Sequence, residues 1–312
     1  MSQQIGVGSY GCVYRPAFTC IEKPRYKRPY ISKLFKQDAK RQQELETYRN
    51  LNLAHIDPEM RFFISEPEVC NLSQQESTRA KSVMRYCSSV LEPINVLNYI
   101  DAGITLTKLL TLTRPDYYHI LHSLENIFQG VALLHKHGIY HLDIKEDNIT
   151  YMDGVFKLID FGISHTNLNP PQTTIGSPLY MPPEVYFIGT NVPSDSIFNM
   201  FMISVFLPTI RTLDLDFEPE AYPTMKEYKT LENEEKYNKS DIWALGIMFY
   251  RLKNHMEENL KFKKLALFLA NFSRKLLILN VRDRPNATKA YQYYRTLLKK
   301  LPTCERGIKK CN

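Results

Sequence analysis

The chain lacks the features that mark several large classes of protein. Its six cysteines, Cys12, Cys20, Cys70, Cys87, Cys304 and Cys311, form no C-x-x-C pair. Neither a zinc site nor a disulfide framework is therefore expected, and a reducing compartment is the default. No stretch offers eighteen uninterrupted apolar residues, and Met1-Ser2-Gln3-Gln4 opens without a basic region followed by an apolar run. The expectation is a soluble, cytoplasmic protein with neither membrane span nor secretory leader. Internal repeats and low-complexity blocks are also missing. Positive charge is in modest excess, a net +7, and its Lys and Arg residues are spread along the chain. Dedicated nucleic-acid binding is not expected; such a surface suits acidic or phosphorylated partners.

What is present begins with bulk: 312 residues can fill about two domains, or one two-lobed domain, around a sizeable core. Near the start, Ile5-Gly6-Val7-Gly8-Ser9-Tyr10-Gly11-Cys12-Val13-Tyr14 reads as strand, G-x-G-x-x-G-x-V turn and strand. Glycines there let the backbone close over phosphates without Cβ collisions. A Rossmann turn would want a helix at the third glycine, whereas Cys12-Val13-Tyr14 followed by Pro16 favours a strand. Tyr30 to Phe35 alternates like a strand with Lys33 in its middle, where a cation costs desolvation unless an anion meets it. From Asp38 to about Leu53 a helix is expected, with Leu45, Tyr48 and Leu51 or Asn52 on one face and Glu44 at its edge within reach of Lys33. Phe62-Phe63-Ile64 with Glu66 to Leu72 supplies a further strand, Ser73 to Arg79 reads as a surface loop, and Ile94 to Gly103 as a strand ending at a glycine. A short helix over Leu106 to Leu112 and a long buried one over Tyr117 to His137 follow, the latter stopped by Gly138.

The centre of the chain is His141-Leu142-Asp143-Ile144-Lys145-Glu146-Asp147-Asn148, then a hairpin over Tyr151 to Ile159, then Asp160-Phe161-Gly162. Downstream stand Gly176-Ser177-Pro178-Leu179-Tyr180-Met181-Pro182-Pro183-Glu184, then Asp241-Ile242-Trp243-Ala244-Leu245-Gly246, then Arg282-Asp283-Arg284-Pro285. In type, order and spacing this set resembles the eukaryotic-type protein kinases of the serine/threonine class. The resemblance implies an α+β, two-lobed fold over residues 1–312 as a single catalytic domain. Its small antiparallel-sheet lobe, with one main helix, would take 1–100; its larger, mostly helical lobe would take 101–312, with an insertion at about 187–237. The glycine loop running into Pro16, the abrupt N-terminus and the compact small lobe resemble kinases encoded by large DNA viruses, which would place the protein in a host cytoplasm or a virion.

The roles that follow are those the resemblance implies. ATP would lie under Ile5, Gly6, Gly8, Gly11 and Val13, with Lys33 on its α- and β-phosphates and Glu44 positioning that lysine. Leu97 would stand at the back of the adenine pocket, Asn98, Tyr99 and Ile100 would offer backbone groups to the base, and Asp101 would meet the ribose. Asp143 would orient the acceptor hydroxyl and take its proton, Lys145 would offset charge on the transferring group, and Asn148 with Asp160 would hold Mg²⁺, or Mn²⁺ in its place. Ser177, bonding Asp143 and Lys145, favours protein Ser and Thr as acceptors; a scaffold acting by binding, or a small-molecule kinase, is the rival reading. His141 is expected to be scaffold, and Glu184 to pair with Arg284. Two positions depart from the pattern: Pro182 stands for alanine, and Leu142 for the arginine that a phosphorylated activation segment would neutralise. Activity is therefore expected not to require phosphorylation of Thr173 or Thr174. Within the insertion, Ile197 to Leu207 is apolar enough for a buried helix and Asp214 to Lys239 is acidic, proline-containing and loop-like. An extra helix on the large lobe and a docking surface for a partner or substrate are both open. Helices over Ile242 to Leu252, Leu260 to Leu279 and Ala287 to Leu301 would finish the chain, with Arg306 to Asn312 as a frayed tail.

Overall fold

The structure, a computed structural model, describes residues 2–8, 11–22, 27–35, 37–83, 95–111, 115–169, 171, 174–187, 206, 210–211, 230–231, 233–257 and 260–302. The chain divides into two units, Met1–Gly103 and Ile104–Asn312. The first is built on an antiparallel sheet of order β1-β2-β3-β5-β4. Its strands are β1 (Gln3–Gly8), β2 (Gly11–Arg15), β3 (Tyr30–Phe35), β4 (Glu68–Cys70) and β5 (Asn95–Ile100).

Alternation along the strands sorts their side chains between two faces. Cys12, Leu34 and Val96 are cross-strand neighbours and face a cluster with Tyr14, Phe18, Cys20, Cys70 and Ala80. Val13, Lys33 and Leu97 are the neighbours one residue along, and so belong to the other face. Gly11 lies opposite Phe35, and a Cβ there would sit 2.0 Å from the Leu34 carbonyl oxygen, so this third glycine of the loop is demanded by the packing of β2 on β3. Helix α1 (Asp38–Leu51) buries Glu44, Leu45, Tyr48 and Leu51. It stops at Asn52, whose φ of 49° is left-handed, and α2 (Leu53–Ile56) follows.

Three expectations for this unit are corrected. Ser73 to Arg79 is not a loop: α3 (Gln74–Val83) occupies it, so the unit has a second substantial helix. The Ser73 hydroxyl accepts the Glu76 N–H at 3.2 Å, half of a capping box that was readable as S-x-x-E, and Ala80 is fully buried beneath it. Phe62 and Phe63 do not belong to a long strand, because the Asp57 carboxylate gathers the N–H groups of Arg61, Phe62 and Phe63 at 2.6–3.0 Å into a turn. Finally, Cys20 and Cys70 form a disulfide across a sequence separation of 50, and Cys12 is disulfide-bonded as well. Sequence spacing is silent about cysteines that only the sheet brings together, and the compartment read from them loses its basis.

In the second unit, α4 (Leu106–Leu110) leads to α5 (Tyr117–Lys136), capped by the Asp116 carboxylate, which accepts the His119 N–H at 3.1 Å. Two short sheets follow: β6 (Ile104–Thr105) with the hairpin β8 (Ile149–Met152) and β9 (Val155–Leu158), and β7 (Ile139–Tyr140) with β10 (His165–Thr166). The helices α6 (Asn233–Asn238), α7 (Ser240–Glu257), α8 (Lys263–Arg274) and α9 (Ala287–Leu298) complete the unit. From Ser240 to Tyr250, α7 is buried on every side. Phe128 of α5 stacks on Tyr294 of α9 with ring centroids 4.2 Å apart.

The helix expected over Leu260 to Leu279 is shorter, a 3-10 turn at Leu260–Phe262 before α8, with Leu276, Leu277 and Leu279 buried outside any helix. The end of the stretch expected to be loop-like is the helix α6. Most of the insertion lies outside the described residues, including Ile197 to Val205. Phe206 and Ile210 are buried against Trp243, Ile247 and Tyr250, so this part of it is core. Among the described residues no helix is long and apolar enough to cross a membrane.

The Cys20–Cys70 bridge closes a long loop and should contribute about 2–4 kcal/mol by restricting the unfolded chain. Non-reducing peptide mapping should recover the Cys20–Cys70 pair, and Cys20→Ser/Cys70→Ser should lower the denaturation midpoint by a corresponding amount.

Candidate active site

The second unit carries most of the chemistry, and a buried carboxylate organises it. Asp241, at the start of α7, accepts the N–H of His141 at 2.9 Å, the N–H of Leu142 at 2.8 Å and Nε2 of His135 at 3.0 Å. Two successive N–H groups converge on it because Leu142 adopts a left-handed φ of 64°, making a small anion nest. Burial alone would raise the Asp241 pKa; the hydrogen bond and charge of His135 and the interactions with His141 outweigh it and hold the carboxyl below its ordinary range.

His141 then ties two loops together. Its Nδ1 accepts the Asp143 N–H at 3.3 Å and its Nε2 donates to the Ile159 carbonyl at 3.0 Å, which one neutral tautomer satisfies. The ring packs edge-on against Phe161, at 4.7 Å. Asp160, between Ile159 and Phe161, has a left-handed φ of 62°. Asn148 is joined to the same turn, since the Ile159 N–H donates to its carbonyl at 3.0 Å.

Asp143 is held from three directions. Its Oδ1 accepts the Ser177 hydroxyl at 2.7 Å, and its Oδ2 accepts Lys145 Nζ and Asn148 Nδ2, each at 2.8 Å. Lys145 also donates to Ser177 Oγ at 2.8 Å, and Asn148 Nδ2 to the Asp143 carbonyl at 2.8 Å. With its amide nitrogen so committed, Asn148 is left with Oδ1, which no donor meets among the described residues. Asn148 Oδ1 and the Asp160 carboxylate are hard oxygen donors of the kind Mg²⁺ takes, so the residues fit that ion; no cluster of three or more His, Cys, Asp or Glu ligands exists among the described residues.

The segment carrying Ser177 is seated by shape. Gly176 has a φ of 126°, and a Cβ there would lie 3.0 Å from the Leu142 carbonyl oxygen and 2.9 Å from Met181 Cγ. Leu142 itself is buried with Tyr140, Met181, Val185 and Tyr237, so an apolar cluster occupies the position of the expected arginine. Glu184 and Arg284 form a fully buried ion pair, with the guanidinium 5.0 Å from the Trp243 ring.

In the first unit, Lys33 Nζ lies 2.8 and 2.7 Å from the two carboxylate oxygens of Glu44. The Tyr99 hydroxyl donates to the same carboxylate, and its ring meets Tyr48 edge-on at 6.0 Å. Sequence reasoning gave Tyr99 only a backbone role; the signal for its side chain was the two-residue period from Leu97, which needs the β3–β5 register to be interpretable. Leu97 is buried opposite Lys33 and Tyr99 stands opposite Ile31. Asn98 faces away from them, accepting from Ser32 and donating to the Phe18 carbonyl at 3.2 Å. Asp101 is engaged by Arg15 at 2.6 Å and by the Gly103 N–H at 2.9 Å. On β1, Ile5 and Val7 are 45% and 66% exposed, Gly6 pairs with Val13 and Gly8 with Gly11; Ser9 and Tyr10, the loop tip, lie outside the described residues.

The Asp241 carboxyl, with a depressed folded pKa, contributes stability that is complete above its unfolded pKa of about 3.9 and lost as pH falls through the lower folded value. Asp241→Asn should cost about 3 kcal/mol in denaturant unfolding at neutral pH and should flatten the decline in stability below about pH 4.

Comparison with known proteins agrees with this geometry. The family model "Protein kinase domain" matches residues 1–294. The chain is 26% identical over 268 residues, 83% of its length, to Cell division control protein 7 of Schizosaccharomyces pombe, covering 22% of that protein. It is 32% identical over 117 residues, 35% of its length, to Serine/threonine-protein kinase pakA of Talaromyces marneffei, covering 18% of it. It is 31% identical over 131 residues, 36% of its length, to Serine/threonine-protein kinase PAK 1 of Mus musculus, covering 24% of it. The chain thus spans about a fifth of the length of these curated relatives, and the viral resemblance gains no support from them. On the match across nearly its whole length, this chain belongs to the protein kinase domain family.

Proposed function

We propose that this chain transfers the γ-phosphate of ATP to serine and threonine hydroxyls of protein substrates. The observation that carries the proposal is the Asp143 carboxylate, fixed by Ser177, Lys145 and Asn148. A carboxylate held this way keeps one orientation while an acceptor hydroxyl approaches, and receives its proton as the oxygen engages phosphorus. Lys145, already 2.8 Å from Asp143, offsets negative charge on the transferring group. Ser177 joins base and lysine from the acceptor-facing segment, which suits a peptide hydroxyl. Asn148 and Asp160 would hold Mg²⁺, or Mn²⁺ in its place, and the metal when bound neutralises phosphate charge.

Lys33, oriented by Glu44, would bind the α- and β-phosphates, and Ile5, Gly6, Gly8, Gly11 and Val13 would cover the nucleotide. Leu97 and Tyr99 would line the inner end of the base site. Asn98 lies within the sheet and Asp101 is occupied by Arg15, so the adenine contacts are better supplied by the carbonyl of Ile100 and the backbone of Ala102. No hydrogen bond engages the Ala102 backbone among the described residues. The ribose role of Asp101 then requires release from Arg15.

Phosphorylation of the activation segment is not needed in this reading. Where an arginine would await a phosphate, Leu142 is packed in an apolar cluster. Neutral hydroxyls hold the segment: Tyr237 donates to the Pro171 carbonyl at 2.9 Å, Thr174 to the Tyr186 carbonyl at 2.9 Å, and Tyr186 to the Pro178 carbonyl at 2.6 Å.

Incubation with radiolabelled ATP, Mg²⁺ and a generic basic protein should yield phosphoserine and phosphothreonine, and Asp143→Asn should reduce the rate by about 10²–10⁴-fold. Absence of transfer by the wild-type chain with ATP still bound would make it a binding scaffold and overturn the proposal. Thr173→Ala/Thr174→Ala should keep most of the activity; a folded double variant that is inactive would end the claim of phosphorylation independence.

A further inference from the structure

Glu146 stands between Lys145 and Asp147 in the catalytic loop, yet its carboxylate takes no part in the chemistry above. It is nearly fully buried, which an ionised group tolerates only with strong partners. Two are present. Arg251 of α7 donates Nε to Glu146 Oε1 at 2.8 Å, and the Tyr180 hydroxyl donates to Oε2. The Arg251 guanidinium also lies 5.9 Å from the Tyr180 ring, so the three groups close on one another. Burial, and then the adjacent Glu146 charge, push the Tyr180 pKa well above its ordinary value, which keeps the hydroxyl protonated as a donor.

These groups lie at three different places in the chain. Tyr180 ends the short turn Pro178–Tyr180 that follows Ser177, Glu146 follows Lys145 directly, and Arg251 projects from the rigid helix α7. The turn is thereby tied to the catalytic loop at both ends, by Ser177 on Asp143 and Lys145 and by Tyr180 on Glu146. We propose that Glu146, Tyr180 and Arg251 form a positioning latch, which holds the acceptor-facing turn in register with Asp143 using only unmodified side chains. The latch deepens the kinase reading and rests on it.

A latch of this kind acts on the protein acceptor and not on the nucleotide. Tyr180→Phe, which keeps the ring and removes one charge-assisted hydrogen bond, should raise the KM for a protein acceptor about tenfold while the KM for ATP stays within about twofold. Glu146→Gln should behave likewise, Arg251→Ala should be as severe, and Arg251→Lys should recover part of the loss. Equal changes in both KM values, or none in either, would overturn the latch. Hydrogen exchange over 174–181 provides a readout independent of turnover: the variants should exchange faster there than wild type with α5 unchanged, and unaltered exchange would also overturn it. If the wild-type chain transfers no phosphate, the kinase reading fails on that result alone, while the exchange comparison still decides whether the latch exists.

Discussion

The catalytic loop has its shape because of one carboxylate that never meets a substrate in the proposed reaction. Asp241 draws the N–H groups of His141 and Leu142 onto itself, and that in turn requires Leu142 to adopt a left-handed backbone. A leucine held there costs about 1–2 kcal/mol, and the two hydrogen bonds to a buried anion offset it. With the loop so turned, His141 reaches the Ile159 carbonyl and Phe161, while Asp143 points toward Lys145, Asn148 and Ser177. Loss of that single anchor would release the loop and the Asp160 turn together.

The same device recurs. Glu44, Glu146, Glu184 and Asp241 are all buried carboxylates, and each meets a cation or imidazole; Glu44, Glu146 and Asp241 also meet a further donor. Such pairs contribute little net stability against an apolar substitute, but breaking one leaves a stranded charge costing several kcal/mol. They therefore act chiefly on geometry, allowing few alternative placements of the loops they join. Beside the segment that carries Ser177, Leu142 packs in an apolar cluster, Tyr237 and Tyr186 donate their hydroxyls to backbone carbonyls, and Gly176 lies against Leu142; in the proposed reading these contacts stand where a phosphate and an arginine would otherwise act.

Much of this was legible in the amino-acid sequence, because the motifs carry their own local geometry. The D-x-K-x-x-N spacing, the hairpin leading to Asp160-Phe161-Gly162, the pairing of Glu44 with Lys33 and the long apolar helices depend on neighbours a few residues apart, or on side-chain chemistry that has few alternatives. Helix α3 carries a legible start in Ser73 and Glu76, but its surface is polar and Ala80 is the one residue it buries, so its composition resembles a loop.

Tertiary structure alone decided the rest. Cys20 meets Cys70, Arg15 occupies Asp101, Tyr99 turns to Glu44, and Arg251 reaches Glu146 across 105 residues of chain. Each of these contacts depends on strand register or on which face of a helix is turned inward, and a shift of one residue would send the side chain to the opposite side. Residue types and their spacing determined which chemistry the chain could carry; the register of β3 on β5 and the seating of α7 under the catalytic loop decided which side chains were left to support it, because a contact between distant segments has no signature until both are placed.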